Sequence, residues 1–236
     1  MVFVLVTGCT YEHHSVTEEV QYHWDGSPVI CSKVVDDAPH TGTLTKVGID
    51  LNYALAHDTA AVMHAHTPMS TVSYEQLDCI FDLAADRHIE LVTFSELAAC
   101  KSARPAVALS FDDQAIDAWY AAKDLFATWN AHVTFFVSDY ANWTNTQRQK
   151  LAELSALGHD IQAHGMYHLN AVDFVETHTI DEYLNLEVLP AIELLEQAGF
   201  PITTYAFPFG ATTNDITAAV LEHVPQVRVT RSACPY

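Results

Sequence analysis

The chain has 236 residues, half of them apolar, enough for a sizeable core in one domain with an appended arm; a collagen-like or wholly disordered chain is excluded. Ten Lys and Arg stand against 30 Asp and Glu, a formal net charge of −20. That balance speaks against nucleic acid, whose phosphates are neutralised by Lys and Arg, and against an anionic membrane surface. An uncharged glycan or a cation fits it better.

Residues 1–6 form a short apolar run leading into Val6-Thr7-Gly8-Cys9. Small residues after an apolar run mark export segments. The stretch resembles the tail of a bacterial lipoprotein signal, in which Cys9 would carry the lipid, although no basic residue precedes the run. Residues 1–9 are read as a signal remnant and Cys9 as the only expected membrane anchor, since no stretch approaches the about 20 apolar residues of a span. Residues 10–45, with His13-His14 and Asp25-Gly26-Ser27-Pro28, read as an irregular arm. Cys31, Cys79, Cys100 and Cys234 then allow three pairings that sequence does not separate. Cys79 falls in a helix pattern as a small core residue. No C-x-x-C occurs, so a cysteine metal site is not expected.

Residues 46–236 are read as one catalytic domain. An apolar run at 60–63 is followed by Ser73-x-x-Gln76, a capping-box pattern that opens a helix with Leu77, Ile80, Phe81 and Leu83 on one face. A strand is expected at 89–93, a short helix at 95–99, and a buried strand at 106–111 running into two aspartates. A helix at 115–129 and a strand at 132–137 follow. Thr144-x-x-Gln147 caps a helix to about 156, and 160–163 is a brief strand. Thr179-x-x-Glu182 starts a long helix to 198, stopped by Gly199 and Pro201. Residues 204–207, 214–223 and 226–230 complete the series as strand, helix and strand.

Such alternation predicts parallel strands with helical crossovers. The expected fold is α/β, a distorted, incomplete (β/α) barrel of about six or seven parallel strands, with a doubly wound sheet as the alternative. Barrel chemistry sits at the C-terminal ends of strands. Asp112-Asp113, His164 and Pro208-Phe209-Gly210 all fall at such ends.

Two adjacent carboxylates after a strand as apolar as Val107-Ala108-Leu109 call for neutralisation of one of them. A divalent metal does that and leaves the other as a base. His164 and His168 lie four residues apart, close enough to aim both imidazoles at one point. Two imidazoles and a carboxylate make a catalytic zinc set with an open position for water.

Ser110-Phe111-Asp112-Asp113 resembles the T-F-D-D-G motif of the polysaccharide deacetylases, carbohydrate esterase family four. Gly158-His159-Asp160-Ile161-Gln162-Ala163-His164-Gly165-Met166-Tyr167-His168 resembles that family's G-H-E-I-x-x-H-S/T-x-x-H. Tyr205-Ala206-Phe207-Pro208-Phe209-Gly210 is similar to its third motif in the F-A-Y-P-F-G form. The likeness runs over roughly residues 58–231. Gln114, Gly165 and Ala206 stand where the family has Gly, Ser or Thr, and the Arg that orients the base.

The resemblance implies Asp113, His164 and His168 as metal ligands, for zinc first and for cobalt, nickel or iron otherwise. It implies Asp112 as catalytic base and Pro208-Phe209 as substrate-binding residues, with the Phe209 amide facing the oxyanion. The general acid of the family's L-x-H motif normally follows the third motif. In the poly-N-acetylglucosamine deacetylases the order is permuted, and Val62-Met63-His64 sits where that motif would, with His66 as the close alternative. The expected function is N-deacetylation of an exopolysaccharide, peptidoglycan or chitin-like glycan at the cell envelope or outside the cell. An O-acetyl glycan esterase and a catalytically decayed glycan-binding protein are the alternatives.

Overall fold

The computed structural model describes residues 20–36, 41–99, 102–230 and 234. Cys9, the expected lipid anchor, and Cys100 lie outside the described residues. Among the described residues nine strands form the sheet: β1 (Gln21–Tyr22), β2 (Val29–Val34), β3 (Ala60–Ala65), β4 (Glu90–Leu91), β5 (Ala106–Asp113), β6 (Thr134–Val137), β7 (Asp160–Ala163), β8 (Thr204–Ala206) and β9 (Gln226–Thr230). Seven of them, β2, β3, β5, β6, β7, β8 and β9, pair in parallel around a closed ring. This is the expected α/β barrel, with seven strands. β1 lies antiparallel on the first two residues of β3, and β4 runs beside the start of β5.

The arm is the main correction. Its described part is not irregular: β2 closes the ring by pairing β9 on one side and β3 on the other. Cys31 on β2 is disulfide-bonded to Cys234, one of the bridges the sequence leaves open; Cys79 is half-buried. Helix Thr41–His57 begins inside the same arm, with Leu44, Val47, Leu51 and Ala54 spaced to face the core. Its polar, Thr-containing first turns hid that period.

Elsewhere the expected elements appear, two of them broken. The helix over 115–129 divides into Ile116–Ala121 and Lys123–Thr128. The helix over 179–198 contains a π-helical turn, Leu184–Val188, ahead of Leu189–Gln197. Pro190 gives the reason, because proline has no N–H for the carbonyl four residues back and its ring crowds that carbonyl. The capping boxes at Thr144 and Thr179 both form, and the Ser73 side chain accepts from the Gln76 amide. No helix among the described residues is long and apolar enough to cross a membrane.

Strand alternation positions the site. On β5, Val107, Leu109 and Phe111 join the large core beneath the outer helices, whereas Ala106 and Ala108 join a smaller cluster with Val62, Phe94, Phe136 and Ala206. The period-two continuation of that second face, towards the C-terminal end, is Ser110 and Asp112. The same parity selects His64 on β3, His164 after β7, Ala206 on β8 and Arg228 on β9. On β3 and β5 the interior face is apolar at the start and polar at the end, whereas β6, β7, β8 and β9 begin on polar interior residues, Thr134, Asp160, Thr204 and Gln226; both faces of β3 and of most of β5 are buried. That is why those two strands read as apolar runs rather than alternating ones.

Candidate active site

Asp113, His164 and His168 come together at the strand ends, each offering one ligand atom, with all three atoms within 4.8 Å of one another. Asp113 ends β5; His164 follows β7 directly; His168 stands on the loop after it. Asp113 Oδ1 lies 3.0 Å from His168 Nε2 and 3.5 Å from His164 Nε2, yet it is buried and accepts a well-aligned hydrogen bond from neither. His164 Nδ1 lies 2.8 Å from the Ala206 carbonyl and donates to it, which turns the Nε2 lone pair towards Asp113. Converging lone pairs around an oxygen without a proton donor are what a cation requires. The chemistry of the set suits a divalent ion of the zinc type. Burial pushes the Asp113 carboxyl up, but the two imidazoles facing it outweigh burial and hold it well below the usual range. Asp113 (φ +84°) and His168 (φ +60°) both adopt the left-handed backbone that L residues avoid, strain of the kind found at functional sites.

Asp112 points the other way, into the barrel, and is almost fully buried. Its Oδ2 pairs with Arg228 Nη2, itself 1% exposed. The guanidinium also lies 5.1 Å from the centre of the Phe136 ring. Burial pushes Asp112 up; the Arg228 charge, helped by His164 and His64, holds it below its ordinary value. Its other oxygen, Oδ1, is buried without a hydrogen-bond partner among the described residues. An ionised carboxylate with one oxygen fixed and one open is equipped to take a proton. Sequence reasoning missed Arg228. The signal available was its parity on the last strand, where a charged residue sits between valines and faces the barrel interior. Ala206, the position lacking the family arginine, is directly paired with Arg228 across β8 and β9.

The two candidate acid histidines differ sharply. His64 is buried, its Nδ1 lies 2.8 Å from the Ser32 hydroxyl, and burial followed by the Arg228 charge pushes it down to about 3. His66 lies past the end of β3, one-third exposed at its side chain, with Nδ1 paired to Asp36 Oδ2. Asp36 also accepts from the His66 amide at 3.1 Å and from the Thr71 hydroxyl at 2.6 Å. The bond to Asp36 raises His66 above its ordinary value against the pull of burial. Asp36, like Arg228, carried no motif.

The third motif forms a tight turn, Pro208–Gly210, with Phe209 at φ +59° and its ring edge-on to His168 at 4.6 Å. Pro208 is buried and Phe209 is 64% exposed. At Gly165 (φ +89°) any Cβ would overlap the Glu187 carboxylate, which fills the place of the missing hydroxyl side chain. Gln114 is exposed and is not among the left-handed residues, so nothing there requires the glycine of the motif.

Residues 100–225, more than half of the chain, match the family model described as polysaccharide deacetylase. The chain belongs to the polysaccharide deacetylase family. No curated protein matches it. Among solved structures it is similar to a polysaccharide deacetylase from Bacillus cereus, at 16% identity and a TM-score of 0.60, over 72% of this chain and 57% of that one. It is similar to the deacetylase PplD of Streptococcus pyogenes in complex with acetate, at 15% identity and 0.56, over 72% and 90%. IcaB from Ammonifex degensii gives 16% and 0.59, over 72% and 84%. At such identities these likenesses concern the deacetylase fold, and the chain spans just over half of the Bacillus cereus protein. The family generally uses a divalent metal, and among the described residues Asp113, His164 and His168 are the group that fits one.

Proposed function

We propose that this deacetylase-family chain removes N-acetyl groups from a polysaccharide by metal-dependent hydrolysis. The observation that carries this function is the meeting of two separate sets at one barrel mouth: Asp113, His164 and His168 for a cation, and Asp112 with one oxygen held and one open. A divalent ion bound there, zinc first, supplies Lewis acidity that activates water and polarises a carbonyl oxygen. Asp112 Oδ1 accepts the proton of the water that adds to the acetamide carbon, and Arg228 holds that carboxylate in place. The Phe209 main-chain N–H, presented by its left-handed turn, donates to the developing oxyanion.

We assign the general acid to His66 rather than His64. A group pushed down to about 3 carries no proton near neutrality, whereas pairing with Asp36 raises His66, which favours its protonated form, and occupies Nδ1 so that Nε2 is the nitrogen left to act. His66 then protonates the amine nitrogen as the C–N bond breaks, and acetate and a free amino sugar leave. Arg228 beside Asp112 favours a working site over a decayed one, because the charge missing at Ala206 is supplied by its paired neighbour. The Cys31–Cys234 disulfide favours the cell envelope or the extracellular space, where disulfides persist. An exopolysaccharide of poly-N-acetylglucosamine type, reached from a lipid anchor at Cys9, is the substrate and setting we propose.

The test is acetate release from N-acetylglucosamine oligomers by metal-stripped protein, with and without added Zn²⁺ or Co²⁺. Release restored by metal is expected. Stoichiometric metal binding without release from any oligomer, but with release from O-acetylated glycans, would turn the assignment to an esterase. Binding of glycan with no release from either would leave a carbohydrate-binding protein.

A further inference from the structure

Glu187 belongs to none of the three motifs, yet it is completely buried beside the loop that carries His168. It sits on the π-helical turn Leu184–Val188, whose widened geometry precedes Pro190. Turns of this kind recur at functional sites. Its main-chain carbonyl accepts from the Met166 amide at 2.9 Å. Its carboxylate accepts from the Tyr167 amide through Oε2 and from the Leu169 amide through Oε1, each at 2.8 Å. One residue therefore holds the backbone on both sides of His168, which adopts φ +60°. Gly165 is what admits it, since a Cβ at that position would overlap Oε1. No Lys or Arg pairs with Glu187 among the described residues, so the two amides are its charge-assisted partners.

We infer that Glu187 is a positioning residue for the metal centre: it shapes the His168 loop before the ion arrives, and metal affinity depends on its carboxylate. The inference rests on the assignment of Asp113, His164 and His168 as ligands. The physical reason is preorganisation. A left-handed His168 between free amides would sample several backbone states, and each must be given up on binding. Groups that orient ligands in this way typically change metal affinity by roughly 10- to 100-fold when replaced.

The experiment is competition for Zn²⁺ against a chromophoric chelator, using wild type, Glu187→Gln, Gly165→Ser and Asp113→Ala, with Tm of each metal-free protein alongside. Glu187→Gln turns an NH₂ onto one of the two amides, and Gly165→Ser pushes the carboxylate away without removing it. Both should weaken Zn²⁺ binding about tenfold or more relative to wild type, while Asp113→Ala should abolish it. Affinity within twofold of wild type in both variants would overturn the role of Glu187 alone. Wild type that takes up no Zn²⁺ would overturn the ligand assignment as well. Should the variants fold poorly, amide exchange in metal-free wild type decides: Tyr167 and Leu169 should be protected, and free exchange at both would sink the inference.

Discussion

Under the proposed function, Asp112 and Arg228 are the residues on which the chemistry turns. A buried guanidinium paired with a buried carboxylate is a poor source of net stability but an effective way to hold an ionised base, because losing one partner strands the other. Asp112→Asn keeps the shape and removes the proton acceptor, so Zn²⁺ uptake should stay at wild-type level while turnover falls at least about 100-fold. His168→Ala should lose both, and full metal retention in that variant would refute its place in the ligand set. Arg228→Met should cost about 3–5 kcal/mol in chemical denaturation and depress kcat more than KM. Adding Ala206→Arg to that variant returns a cation to the paired strand and should recover part of the loss. The aspartates and both imidazoles were legible as residues because each sits at a strand end, or on the loop just after one, within a motif. Arg228 and Asp36 were not, since nothing local marks a lone Arg or Asp as the partner of a residue 116 or 30 positions away.

At the scale of elements, short turns carry the site. Gly210 stands at φ +64°, where any Cβ would overlap Thr230 Oγ1, so strand end β9 and the third-motif turn are pressed together at that point. Gly210→Ala should destabilise by about 1–3 kcal/mol and lower kcat by displacing the Phe209 amide; an unchanged Tm and kcat would show that the turn tolerates both. Capping boxes and apolar periods foretold most helices, since those signals are written within a few neighbouring residues. The split at Ala122 and the π-helical turn were not foretold. They answer to packing and to Pro190 acting within a sequence whose apolar period continues unbroken.

For the whole molecule, closure of the ring decides both stability and pH response. The Cys31–Cys234 disulfide ties β2 to the chain beyond β9, 203 residues apart in sequence, so reduction should cost about 5 kcal/mol. Denaturant titration with and without a reductant measures that. His64 and His159 are both pushed down by burial, to about 3 and about 4. Unfolded imidazoles take protons near pH 6.5, so between that pH and the folded values the unfolded state binds more protons and stability falls. Their contribution is thus complete above about pH 6.5 and lost as the pH drops towards 4. His66, raised by Asp36, acts in the opposite sense at higher pH. Tm should therefore fall steadily below pH 6.5, and His159→Gln should flatten the slope.

The amino-acid sequence by itself determined the barrel class, the strand ends and the candidate site residues Asp112, Asp113, His164 and His168. Alternation, capping and motif spacing act over stretches short enough to be read along the chain. Only the tertiary structure decided that the arm supplies the closing strand, that Arg228 stands in for the cation absent at Ala206, that His66 rather than His64 has an acidic partner, and that Glu187 grips the His168 loop. Each of these depends on which strands lie side by side and in what register. A one-residue slip would send Arg228 or His64 to the opposite face of the sheet.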